Sequence, residues 1–259
     1  MVLHPGSDDR QETARRHRGI RGFTLIELLV VIAIIAVLAS ILVPVVNKAL
    51  DQGKFMHCTS NIAQLSLGVN LYAADHRGSL PNPNWGPSST GWLFHRGRMD
   101  RPQYVEMGKL WPYLEVRRIY RCASDPAPSM TDRTIPNRPR NSRMITSYCM
   151  NGSVVAYGNN TAKFGVLTPF LIDQFNGNDI LFWEPDENKA GGWWWDGSNY
   201  PSEGISARHF DRASVANIDG SAHAMRLSEF YAMADPNPEQ RNPRRRNRLY
   251  NVPGSPTGE

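Results

Sequence analysis

The chain has 259 residues, 41% of them hydrophobic, enough for one anchor and one globular domain with its own core. Its 21 glycines and 19 prolines make that domain loop-rich, and its three cysteines allow one disulfide at most, with no CxxC or metal-ligand spacing among them. The net charge of +5 is partly local: five arginines against three acids in residues 1–22 supply +2, leaving about +3 for the rest.

Residues 1–22 are polar and rich in Arg and His. This basic cluster precedes an apolar run, so the N-terminus stays cytoplasmic and the C-terminal domain crosses the membrane. Residues 23–43 would form about 31 Å of helix, enough to span a bilayer core. One side chain there is out of place. Glu27 is an acid in a membrane segment, costing roughly 2–3 kcal/mol or more. A cut between Gly22 and Phe23 would create an α-amino group at Phe23, cationic near neutral pH because its reference pKa is about 7.7–8.0. Phe23 and Glu27 stand at i and i+4, on one helix face. Two other readings compete: a secretory signal peptide cut before Ser40, and a plain membrane anchor. Neither explains Gly22 before Phe23 or the acid at Glu27.

Gly22-Phe23-Thr24-Leu25-Ile26-Glu27, with its basic leader and apolar continuation, resembles a type IV prepilin or type II secretion pseudopilin. The resemblance implies cleavage after Gly22 and N-methylation of Phe23 by a prepilin peptidase. It also implies assembly with other pilin-like subunits, as a homo- or hetero-filament, with Glu27 facing the Phe23 amine of a neighbour. Pro44 falls where such proteins often carry a helix-bending proline, and proline removes a backbone bond and clashes with the turn before it. The expected location is the inner membrane, in contact with its lipids, with a single pass and an extracytoplasmic C-terminal domain.

Beyond the bend, Phe55, Cys58, Ile62, Leu65, Val69 and Tyr72 recur at alternating spacings of three and four, an apolar helical stripe over residues 47–76. Gly53 and Gly68 weaken that helix locally. A narrower resemblance follows. His209, nine residues, then Asp219-Gly220 is similar to the C-terminal signature of a large pilin-like family. Residues 120–126 and 147–151 resemble two further stretches of it, with Ala123 and Cys149 departing from the usual residues. The fold it implies is α+β: a long N-terminal helix, its first half membrane-spanning, packed on a small antiparallel sheet. That soluble domain would cover residues 77–234.

Within it, residues 76–143 are turn-rich, with room for a short helix over 105–114. Strands are expected over 145–150, 153–157 and 180–183. Residues 214–225 read as a hairpin closed by a two-residue Asp219-Gly220 turn, and residues 227–234 as a closing helix. The Pro- and Arg-rich stretch 235–259 reads as a disordered basic tail.

His209 and Asp219 suggest a catalytic pair, but Asp219 suits the turn and His209 a loop contact, so no enzymatic activity is expected and a membrane-anchored enzyme is the weakest rival. Trp193, Trp194 and Trp195 either pack the sheet or form a partner surface; the second makes the runner-up a sugar-binding, adhesin-like minor pilin. Asp173, Asp179, Glu184, Asp186, Glu187 and Asp196 could offer oxygen ligands to calcium, which the pseudopilin resemblance raises, yet their spacing matches no calcium loop. No metal or other cofactor is therefore expected. The arginines of the tail give at most salt-sensitive affinity for nucleic acid, which is not expected as a partner. Cys58 lies on the helical stripe and Cys122 in a turn that could dock against it, so the two are either disulfide-bonded or two buried thiols.

Overall fold

A computed structural model describes residues 23–85, 89–96, 98, 101–125, 145–158, 168–186, 196–234 and 246–258. The chain divides into two units, residues 1–47 and 48–259. Helix α1, Leu25–Asp75, is assigned without interruption through Pro44, Gly53 and Gly68. In the first unit its side chains from Leu25 to Asn47 are all exposed.

In the second unit the same helix becomes one-sided. All six residues of the predicted stripe, Phe55 to Tyr72, are buried. Leu114 closes on the helix at Gly68, where a Cβ would lie 3.0 Å from its nearest methyl and the leucine would have to give by a few tenths of an ångström. Leu114 ends the short helix α2, Trp111–Leu114, which follows a 3₁₀ turn, Pro102–Met107. The helix expected over 105–114 is thus split at Gly108, where the backbone passes so close to Trp92 that a Cβ would lie 2.5 Å from its carbonyl oxygen.

Five strands form one sheet in the order β3-β1-β2-β4-β5: β1 Cys149–Asn151, β2 Ile180–Trp183, β3 Ser198–Asn199, β4 Arg212–Asn217 and β5 Ala222–Arg226. The sheet is mixed rather than wholly antiparallel. β3 runs parallel to β1, because the chain leaving β2 returns to the far edge of β1 before pairing. Both faces are covered. Met150, Phe182 and Ala216 point to the core beneath α1, while Cys149, Trp183, Val215 and Met225 point to a second core. Burial on both sides explains why β2 reads as an unbroken apolar run.

Residues 153–157 are not the expected strand. Gly152–Gly158 winds as 3₁₀ turns, with Ala156 and Tyr157 in the left-handed region at φ 49° and 51°. Asn151 starts the turn: its Oδ1 accepts the Ser153 N–H at 3.0 Å, and its amide donates to Ile180 and Leu249 carbonyls. The β4–β5 hairpin also differs from expectation by one residue. Asn217 pairs opposite Ser221, so the loop has three residues, Ile218 to Gly220, with Gly220 left-handed at φ 88°. A type I turn followed by a left-handed glycine is the usual three-residue solution.

Helix α3, Leu227–Ala234, buries Phe230 and Ala234 in the second core, as the closing-helix reading expected. The described part of the tail departs from its expected disorder. Residues 246–258 fold back, burying Leu249, Tyr250 and Val252 against β2 and α3. Asn247 Oδ1 accepts the Leu249 and Tyr250 N–H groups, and the Tyr250 hydroxyl donates to Ala234 O at 3.0 Å. Three apolar residues with satisfied backbone outweigh the Pro and Arg content that suggested a solvated tail. Arg241, Arg244 and Arg245 lie outside the described residues.

Candidate functional site

Two places concentrate the residues of interest. The first is the start of α1. Thr24 and Glu27 form a reciprocal cap: the Glu27 carboxylate accepts the Thr24 N–H at 2.9 Å and its hydroxyl at 2.8 Å, while Thr24 Oγ1 accepts the Glu27 N–H at 3.2 Å. Thr-x-x-Glu at a helix start is the pattern that satisfies two otherwise orphan donors. Sequence reasoning had assigned Glu27 to a neighbour's amine and missed this local task, although the Thr24-x-x-Glu27 spacing carried the signal. Behind the cap, apolar side chains from Leu25 to Val46 are exposed around the helix. Gly22 and the leader lie outside the described residues.

The second place is buried in the second unit. Cys58 from α1, Cys122 from the turn after residues 117–120, Glu184 at the end of β2 and His209 before β4 converge, their donor atoms all within 4.8 Å of one another. His209 Nε2 lies 3.3 Å from Cys122 Sγ and 3.2 Å from Glu184 Oε1. A tight turn aims the imidazole inward: Phe210 holds φ 66°, a strained value for a bulky residue, and His209 bridges to Arg212 across it. Phe55 packs edge-on to the imidazole at 5.0 Å, with the Arg212 guanidinium over the outer face of the phenyl ring.

Neighbouring groups hold Glu184 and Cys122 at their donor atoms and Cys58 at its backbone. The Ser214 N–H donates to Glu184 Oε2 at 2.9 Å, the Ser124 N–H reaches Cys122 Sγ at 3.4 Å, and the Tyr148 hydroxyl donates to Cys58 O at 3.3 Å. Arg208, its side chain 5% exposed, stands 3.9 Å from both Glu184 and Asp125, and Asp125 also receives the Ser147 hydroxyl at 2.6 Å.

These contacts set the proton positions. Burial alone would lower the His209 pKa, but the hydrogen bonds to Cys122 and Glu184 and the Glu184 charge raise it to about 9. Burial pushes Glu184 up; the His209 bond, its charge and Arg208 hold the carboxyl below its usual range. A hydrogen bond from Cys122 holds the Cys58 thiol down, and the same bond, with burial, pushes Cys122 up. Both cysteines are free thiols. Their sulfur atoms lie within 4.8 Å of each other.

The other predicted residues separate from this cluster. Asp219 is an exposed turn residue whose carboxylate accepts the Ser221 N–H and hydroxyl, so it forms no pair with His209. Among the acids considered for calcium, Asp179 pairs with Arg246 at 2.6 Å, Asp196 accepts from Ser198, and Asp173 is exposed. Glu187 and the triplet Trp193, Trp194 and Trp195 lie outside the described residues; nearby Trp183 is a core residue bonded to Gly204 O. Glu184 is the member of the cluster that sequence reasoning placed elsewhere. Its signal was an acid directly after a strand buried on both faces.

Residues 17–43 match the family described as the prokaryotic N-terminal methylation motif. Over 62 residues the chain is 37% identical to the ComG operon protein 3 homolog of Bacillus licheniformis, an alignment covering 24% of this chain and 64% of that protein. No solved structure matches the chain.

Proposed function

We propose that this chain is a pilin-like structural subunit of a pilus-like or secretion-type filament, a reading supported by its match to the methylation motif and its similarity to the ComG operon protein 3 homolog. A prepilin peptidase cuts between Gly22 and Phe23 and methylates the new amine. The helix from Phe23 to Val46 then stores the subunit in the inner membrane, with the second unit on the extracytoplasmic side. Assembly transfers that helix from lipid to a bundle of equivalent helices from other pilin-like subunits, and Glu27 meets the Phe23 amine of a neighbour.

The observation that carries this reading is the apolar surface exposed around the helix in the first unit, interrupted by a single acid. A monomeric soluble protein rarely exposes such a continuous patch. Lipid or neighbouring helices must cover it. A charged carboxylate is costly in lipid alone, and pairing in a bundle removes that cost. The subunit has no enzymatic task in this scheme.

N-terminal processing gives the direct test. Intact mass of the mature protein should correspond to a chain beginning at N-methylated Phe23. A chain beginning at Met1 or Ser40 would refute the processing scheme.

A further inference from the structure

We propose that Cys58, Cys122, Glu184 and His209 are the four ligands of a structural divalent cation of the zinc type, which pins α1 to the sheet. Two thiols, an imidazole and a carboxylate are donors that zinc takes in tetrahedral sites. They arrive from four separate segments, and every one is buried, at 0%, 2%, 0% and 3% exposure.

The spacing fits. Metal–sulfur bonds of about 2.3 Å and metal–nitrogen or –oxygen bonds of about 2.0–2.1 Å imply tetrahedral edges of about 3.6 Å from S to N and about 3.4 Å from N to O. The corresponding separations are 3.3 Å from Cys122 Sγ to His209 Nε2 and 3.2 Å from His209 Nε2 to Glu184 Oε1. These two edges lie within a few tenths of an ångström of the tetrahedral values, and all four donor atoms lie within 4.8 Å of one another.

A His209–Glu184 ion pair beside a Cys58–Cys122 disulfide is the rival arrangement that also employs all four residues. It leaves the contact between Cys122 Sγ and His209 Nε2 without a purpose, because one Nε2–H cannot point well at both Cys122 and Glu184. A cation makes all four donors converge on one point. The surroundings match a ligand shell as well: the Ser124 N–H faces the Cys122 sulfur and the Ser214 N–H holds the far oxygen of Glu184. Outer hydrogen bonds of this kind orient ligands and tune a site. Charge also balances. Two thiolates, Glu184 and Asp125 are matched by a divalent ion with Arg208 and Arg121, both of which lie against Asp125.

The full chain, extracted in detergent from cells whose thiols have been trapped by alkylation, gives the redox state; untrapped protein gives the metal content after gel filtration. The expected result is free Cys58 and Cys122 with about one zinc per chain. Exchange with Co(II) should produce the sulfur-to-metal absorption of a thiolate-bound tetrahedral ion, a test that needs no variant. His209→Ala and Cys122→Ser should weaken zinc binding by more than the roughly 10–100-fold that loss of an outer partner costs. A Cys58–Cys122 disulfide, no metal after incubation with zinc, a Co(II) spectrum lacking the thiolate band, or unchanged binding in Cys122→Ser would each overturn the proposal.

Discussion

Glu27 carries two tasks on one carboxylate, and substitution can separate them. Glutamine fills the same place in a Thr-x-x-Glu/Gln cap, so Glu27→Gln keeps the contact with Thr24 while losing the charge. Glu27→Val loses the charge and the carboxylate's bonds to Thr24, keeping only the backbone N–H that Thr24 Oγ1 accepts. Both variants should insert and still be cut after Gly22, since the leader and the scissile bond are unchanged. Both should lower filament yield relative to membrane-fraction abundance, by tenfold if the pairing contributes about 1.4 kcal/mol per subunit contact. Crosslinked or shear-released filament at wild-type yield from Glu27→Gln would mean that capping is the whole purpose of the acid. The oddness of Glu27 was legible in the sequence because an acid inside an apolar run needs no further context. The buried cluster was not legible. Ligands separated by 64, 62 and 25 positions form no spacing pattern, and only the fold brings Cys58, Cys122, Glu184 and His209 together.

Elements with a strong period were read correctly, and those that depend on one backbone angle were not. The stripe along α1 and the apolar run of β2 needed only periodicity and burial. The β4–β5 hairpin shows the limit, because Asp219-Gly220 suits either a two-residue or a three-residue loop, and the choice shifts the register by one. Gly220 holds the chosen loop at φ 88°, where a Cβ would meet no atom within 4 Å. Gly220→Ala should therefore cost about 1–2 kcal/mol from backbone strain alone, measured by chemical unfolding. Gly220→Asn should cost less. At the C-terminal segment, Tyr250→Phe removes the bond to Ala234 O and should cost about 1 kcal/mol, whereas Tyr250→Ala should cost about 3–5 kcal/mol by leaving a cavity beside Tyr157 and Tyr200. A disordered tail would make both substitutions silent. Composition misled there because Leu249, Tyr250 and Val252 are too few to register against their Pro and Arg neighbours.

Across the molecule, the division at residues 47 and 48 separates two kinds of stability. Glu27 variants should leave the unfolding free energy within about 0.5 kcal/mol of wild type, while Tyr250→Ala lowers it without touching the apolar helix. Equal losses in both assays from Glu27→Val would mean the units do not behave separately. Within the second unit, α1 is also fastened to β4 and the first residue of its hairpin loop by polar side chains: Thr59 to Ser214 at 3.0 Å, Ser66 to Asn217 O at 2.5 Å and Asn70 to Ile218 O at 2.8 Å. From Thr59 to Ser66 the helix rises about 10 Å, and from Ser214 to Asn217 the strand also rises about 10 Å, so helix and strand run side by side in matched steps. A tensile load applied along α1 therefore strains all three fastenings in parallel, as in a lap joint, instead of peeling them one after another. For a subunit hauled by its N-terminal helix, that geometry gives a high rupture force, and Ser66→Ala with Asn70→Ala should lower it in a single-molecule pulling trace.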